Sequence, residues 1–172
     1  LLRLFDDFDD PPALDAQGNT RADAVVSAGE YRTRRSKLAR HIVEVLDAPD
    51  ILAIQEAEKI EVLSALAGDI ASRDPSLRYA SYLIEGNDRG TIDVGFLVRD
   101  TVRVNAVLQL GEAETLSVHG SLLHDRPPLL LDADYTGNGA PFRILAMVVH
   151  LRSLTDIEDP ASGDRVRRKR LE

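Results

Sequence analysis

The chain has 172 residues, 44% of them hydrophobic, and carries 21 basic against 29 acidic side chains for a net charge of −8. That length suffices for one domain with a real core, and the acidic balance argues against a plain basic surface that grips nucleic acid by counterion release. No apolar run approaches the roughly eighteen residues of a membrane span, and the lack of cysteine excludes disulfides, thiolate nucleophiles and cysteine zinc sites.

Residues 1–5, "LLRLF", read as the middle of a strand, so the true start is expected upstream. Targeting therefore stays open, between secretion and cytoplasmic residence. The acidic "DDFDDPP" reads as surface and residues 11–23 as a polar loop. Ser27 and Glu30 have the S-x-x-E form of a capping box. Behind them Leu38, Ile42, Val45 and Leu46 fall on one helical face, and Pro49 closes the helix. Residues 51–55 make a short apolar strand that runs straight into Glu56. Leu63, Leu66, Ala67 and Ile70 mark a second helix, with Pro75 beyond it.

After Tyr79 the pattern changes to period two. "YASYLI" reads as a strand and "EGNDRGT" as a glycine-bearing loop. Ile92, Val94, Phe96 and Val98 share one strand face, and Val102, Val104, Leu108 and Leu110 share another after a tight connection at Asp100 and Thr101. "PLLLDADY" and "PFRILAMVVH" read as two more strands joined by "TGNGAP". A last helix starts near "GDRVRRKRLE". With no internal repeat and no long linker, the chain reads as a single mixed α/β domain of sheets covered by helices.

Three residues carry candidate chemistry. Glu56 lies where an apolar strand runs out, the end at which α/β folds commonly meet ligands. A carboxylate there suits a hard cation such as Mg²⁺; it equally suits a first-turn helix acid favoured by the helix dipole. His150 follows a long buried strand. It fits a satisfied core histidine, or an imidazole that donates to a phosphate or protonates a leaving oxygen. Asp93 lies opposite the apolar face of an interior strand and needs a partner. His150 is one candidate; a salt bridge to Arg89 or Arg126 is the other. The basic run at residues 165–170 reads either as a solvated helix face or as a nucleic-acid contact.

Taken in order, "LLRLFDDFDDP", "APDILAIQEAE", "EGNDRGTIDVGFLVR" and "MVVHLRSL" resemble the endonuclease/exonuclease/phosphatase superfamily, which includes deoxyribonuclease I, exonuclease III, sphingomyelinases and inositol polyphosphate 5-phosphatases. The resemblance implies a four-layered α/β/β/α sandwich of two mixed sheets with helices outside. It makes Glu56 the metal-binding glutamate and His150 the histidine near the scissile phosphate. Asp93 becomes that histidine's acidic partner, and Asn87 and Asp88 become loop residues reaching substrate. It implies Mg²⁺, or Mn²⁺ or Ca²⁺, as cofactor, and nucleic acid or another phosphodiester as substrate.

The departures are equally specific. The position directly before "LF", an Asn in the family pattern, is Arg3 here, and the family's later "GDFN" and "SDH" motifs are not in the chain. The expectation is that residues 1–172 are the N-terminal portion of such a domain, with about a hundred or more residues to follow. Alone, such a piece is expected to lack activity and to self-associate through uncovered sheet surface. The alternatives are a non-catalytic binding or scaffolding relative, a phospholipid or inositol-phosphate phosphatase, and a calcium-binding structural domain using Asp6, Asp7, Asp9 and Asp10. The last lacks the glycine and distal glutamate of an EF-hand loop.

Overall fold

The computed structural model describes residues 3–12, 14–21, 24–136 and 140–171. Helix α1 (Ala28–Glu44) begins at the expected capping box: Ser27 Oγ accepts from the Glu30 N–H at 3.3 Å, and the Ser27 N–H donates to Glu30 Oε2 at 3.2 Å. It buries Tyr31, Ala39 and Ile42. The helix ends at Glu44, two residues short of the hydrophobic pattern, and Val45 and Leu46 are 65% and 45% exposed rather than packed. Asp47 and Ala48 take left-handed φ values of 56° and 45° and turn the chain into Pro49. Helix α2 (Ile60–Arg73) buries Leu63, Leu66, Ala67 and Ile70, as its spacing predicts, and Val62 with them. Each of these side chains larger than alanine contributes about 1.5–3 kcal/mol relative to exposure. Arg35 bridges the two helices by pairing with Asp69 at 2.9 Å while stacking over Tyr31.

The helices cover a sheet of β1 (Ile51–Ala57), β2 (Tyr79–Leu83) and β3 (Asp93–Arg99), in the order β1-β3-β2 with antiparallel pairing. A single parallel bridge, Leu4 to Ala57, extends it at the open edge of β1. Central strand β3 is buried from Asp93 to Val98 because both its faces are covered. Leu97 joins the core beneath α1 and α2, whereas Val94, Phe96 and Val98 pack against the second sheet. That sheet is the antiparallel meander β4 (Val102–Gln109), β5 (Leu129–Tyr135) and β6 (Phe142–Val148), whose Leu129, Leu131, Ala133 and Val148 face inward.

The fold is thus mixed α/β, with a helical layer and two packed sheets; a last helix, α3 (Gly163–Leu171), docks through buried Gly163 and Val166. Two sequence expectations change. Pairing among the named strands is antiparallel, with the Leu4 bridge as the parallel contact, where mixed sheets were expected. In β4 an irregularity between Val104 and Ala106 adds a residue, which flips the later side chains to the other face. Leu108 therefore lies outward, 51% exposed, with Leu145 and Met147 of β6 at 66% and 52%. The same outer face carries the pairs Arg103–Asp134 and Arg143–Asp132, and no helix of the described residues covers it as a fourth layer. The centre of the "TGNGAP" turn, Leu1 and Leu2 of the expected opening strand, which among the described residues is the single Leu4 bridge, and Ala13, Ala22 and Asp23 of the polar loop lie outside the described residues. Among those described, no helix is long and apolar enough to cross a membrane.

At Gly95 the sheet lies close against α2. A Cβ there would fall 2.7 Å from Leu63 Cδ1 and 2.7 Å from the Tyr82 carbonyl oxygen. Gly95→Ala is expected to lower unfolding stability by about 1–3 kcal/mol, an overpacking cost, read by urea denaturation. An unchanged midpoint would show that α2 does not sit against β3 in this way.

Candidate functional site

Strand β1 delivers its carboxylate by breaking its own register. Gln55 pairs with Val94 and Ala57 with Asp93, so Glu56 is an extra, bulged residue between them. Its φ of 64° is left-handed, which costs a non-glycine residue about 1–3 kcal/mol and persists only where the surroundings hold it. They do hold it here. The Leu4 N–H donates to the Glu56 carbonyl at 2.7 Å, the Glu58 N–H to the Leu4 carbonyl at 3.2 Å, and the Arg3 N–H to Glu56 Oε2 at 3.1 Å. The bulge keeps Ala57 in the core beneath the helices and turns Glu56 aside from that face.

What Glu56 meets is His150, two residues past the end of β6. Nε2 lies 3.8 Å from Glu56 Oε1, and both side chains are about one-fifth to one-quarter exposed. That separation is too long for a hydrogen bond, so neither group satisfies the other. The neighbouring Gln55 makes the junction: its amide donates to the Val149 carbonyl at 2.6 Å and ties β1 to the segment carrying His150. Arg126 lines a small cavity together with His150, and the charges of Arg126 and Asp88 both act on the imidazole. They pair at 3.0 Å with side chains 9% and 16% exposed, and Asp88 also accepts the Gly90 N–H at 3.0 Å. Burial, and after it the Arg126 cation, hold the His150 pKa below its ordinary value, while Glu56 and Asp88 pull the other way. The imidazole is thereby kept neutral at neutral pH.

Asp93 does not orient His150. It is 1% exposed, and its carboxylate takes Arg21 Nη2 at 2.9 Å and the Gly86 N–H at 2.9 Å. The reason is strand alternation. Asp93 shares the face of Leu97, beneath the helices, whereas β6 and His150 lie beyond the opposite face of β3. His150 Nδ1 accordingly has no hydrogen-bond partner among the described residues. Burial pushes the Asp93 pKa up to about 6 even against the Arg21 guanidinium. Neither Arg89 nor Arg126 is the partner; Arg21, 72 positions away, is.

Asn87 is buried and its amide fully engaged. Oδ1 accepts the Ala16 N–H at 2.9 Å, and Nδ2 donates to the carbonyls of Glu112 and His124 at 2.7 and 3.1 Å. It fastens three loops together. Among the expected site residues, then, Glu56, His150 and Asp88 converge, while Asp93 and Asn87 are bound elsewhere. Arg126 joins the convergent set without any sequence signal beyond its charge.

No family model matches the chain, and no curated protein matches it. Among solved structures it is similar to an endonuclease/exonuclease/phosphatase from Bacteroides vulgatus, at 15% identity and a TM-score of 0.44 over 68% of this chain and 44% of that one. It is similar to a functionally unknown conserved protein from Enterococcus faecalis V583, at 18% identity and a TM-score of 0.46 over 82% and 53%. An endonuclease/exonuclease/phosphatase family protein from Bacteroides thetaiotaomicron gives 14% identity and a TM-score of 0.40 over 81% and 50%. Two of the three carry the family name that the sequence motifs resemble. The chain spans about half the length of these structures.

A second acidic group, Asp6, Asp10 and Glu58, brings three carboxylate oxygens within 4.8 Å of one another. Lys59 already supplies a cation there, pairing with Asp6 at 2.9 Å and with Asp10. Burial opposes its charge, yet hydrogen bonds to Asp10 and Asp6 hold its pKa above the ordinary lysine value. A metal ion at this cluster would have to displace an ammonium; at Glu56 it would not.

The charges around His150 make a signed prediction. In an NMR titration of the imidazole, wild-type His150 should titrate below 6.5, the ordinary value. Glu56→Gln should lower the midpoint further by removing a favourable anion, and Arg126→Met should raise it. An Arg126→Met midpoint equal to wild type would remove Arg126 from the site.

Proposed function

We propose that this chain is the first half of a divalent-metal-dependent phosphoesterase domain, a nuclease-type phosphodiesterase that hydrolyses phosphodiester bonds by in-line attack of water. The observation that carries this reading is a bulged glutamate from one sheet facing, at 3.8 Å, a histidine that follows a strand of the other. In this reading a later segment of the same domain supplies the base for water. It also supplies the fourth, helical layer, over Leu108, Leu145 and Met147.

Glu56 is the residue that would hold Mg²⁺, or Mn²⁺ or Ca²⁺. Its carboxylate is partly exposed and has no cation bonded to it among the described residues, a donor set that fits an ion keeping most of its shell for water and phosphate. Such an ion, when bound, neutralises charge on the phosphate and leaving oxygen. His150, neutral in the free protein, donates an Nε2–H hydrogen bond to a phosphate oxygen. The anion's charge then raises the imidazole pKa and readies it to protonate the leaving oxygen as the P–O bond breaks. Arg126 adds positive charge beside the same oxygen, and Asp88 fixes the guanidinium.

In the full-length protein, Glu56→Gln should abolish Mg²⁺-dependent hydrolysis of bis-p-nitrophenyl phosphate while the circular dichroism spectrum stays unchanged. Undiminished turnover at saturating Mg²⁺ would sink the assignment. Because Asp93 is bound to Arg21 and not to His150, the turnover losses of Asp93→Asn and His150→Ala should multiply in the double variant. Groups acting as a unit would instead give a double variant little worse than the poorer single one.

A further inference from the structure

The basic run at residues 165–170 lies on a largely exposed helix face, with some of its side chains tied back to the fold. Arg167 donates to the Ile157 carbonyl at 2.7 Å and Arg170 to the Arg152 carbonyl. Lys169, 8% exposed, pairs with Asp125 at 2.5 Å. Arg165 does something else. It borders a cleft between α3 and the loops carrying Asn19, Arg89, Ser121 and Arg152.

The charges of this cleft do not cancel locally. Of its carboxylates, Asp88 is paired with Arg126 and Asp125 with both Lys169 and Arg152; Asp15 keeps its charge, held by Asn19 and the backbone of its own turn and facing the Arg89 cation, so the lining sets the four cations Arg89, Arg152, Arg165 and Lys169 against three anions. Burial opposes the Asp125 charge, but hydrogen bonds from Lys169 and Arg152 hold its pKa below the ordinary value, so it stays an anion already matched by two cations. Arg89 and Arg165, both exposed, donate no hydrogen bond to a described residue. The Ser121 hydroxyl and Arg152 Nε are buried polar atoms in the lining of the same cleft without a partner among the described residues. Donors are in surplus here. That combination fits an oxyanion, which takes several N–H and O–H donors at once.

The cleft shares a wall with the Glu56–His150 site. Asp88, on its rim, holds Arg126, and Arg126 borders the small cavity under His150 together with Asp125, Arg152 and Lys169. We propose that the cleft is a second anion subsite, in which Arg89 and Arg165 bind a neighbouring phosphate of a substrate that carries more than one. This rests on the phosphoesterase reading of the site and narrows it to oligonucleotide-type substrates over isolated phosphodiesters.

The test uses the full-length protein with Arg89→Ala and Arg165→Ala combined; both side chains are exposed, so folding is not at stake. Inorganic phosphate binding, measured by calorimetry, should weaken about tenfold or more with two charged donors removed. The KM for a short single-stranded oligonucleotide should rise by a similar factor, with kcat/KM for bis-p-nitrophenyl phosphate unchanged. Phosphate binding equal to wild type overturns the subsite, as does an equal loss on both substrates. If neither protein hydrolyses anything yet phosphate binding still falls in the variant, the cleft stands and the phosphoesterase reading fails instead.

Discussion

A left-handed backbone at Glu56, forced by one surplus residue between Gln55 and Ala57, is the constraint from which the site follows. Without the bulge, alternation would send Glu56 to the face that holds Ile54, under the helices and among leucines. An unpaired carboxylate buried there would lose its charge or destabilise the fold. With the bulge, Ala57 fills that place and the carboxylate turns toward the second sheet. The strain is balanced by backbone bonds through Leu4, so the first residues of the chain take part in the site by holding its shape.

A second constraint is electrostatic. Arg21, 3% exposed, binds the Glu85 carboxylate, the Asp88 carbonyl and the Asp93 carboxylate, gathering the loop before α1 against the loop before β3. A guanidinium with its rigid fork of donors can serve three acceptors at once where an ammonium would serve them poorly. Gly86 belongs to the same arrangement, since a Cβ there would fall 2.8 Å from Asp93 Oδ1. Asp88 is held at its backbone by Arg21 and at its side chain by Arg126, so the charge beside His150 depends on a residue that never touches it. Asp93 thus contributes to the site through the loop geometry it anchors.

In the proposed phosphoesterase reading an acidic protein takes an anionic substrate, and the distribution of charge bears on that pairing. Net charge is −8, yet many carboxylates are consumed in local pairs, among them Asp69 with Arg35, Asp132 with Arg143 and Asp134 with Arg103. Near His150 the cations Arg126, Arg152 and Lys169 stand against Asp88, Asp125 and Glu56, so the acidic excess of the chain as a whole is not found there. Local potential, not the total, decides which ligand is attracted at short range, because salt screens the remainder beyond about 10 Å.

Much of this was legible in the residues alone. Local rules sufficed for the capping box at Ser27, for the buried face of α2 and for the six strands, because helix caps and periodicities are set by neighbours in sequence. Glu56 and His150 could be singled out for the same reason, each standing where an apolar run ends. Their meeting no local rule could give; only the family resemblance implied it. It needs two sheets stacked through β3, a contact across 94 positions in which Gln55 reaches the Val149 carbonyl. Nor could a period-two pattern foresee that an added residue in β4 would turn Leu108 outward, since a bulge is fixed by the partner strand. Asp93 announced that it needed a partner, but only the fold selected Arg21 over His150: strand alternation sent the carboxylate to one face of β3 and the histidine beyond the other.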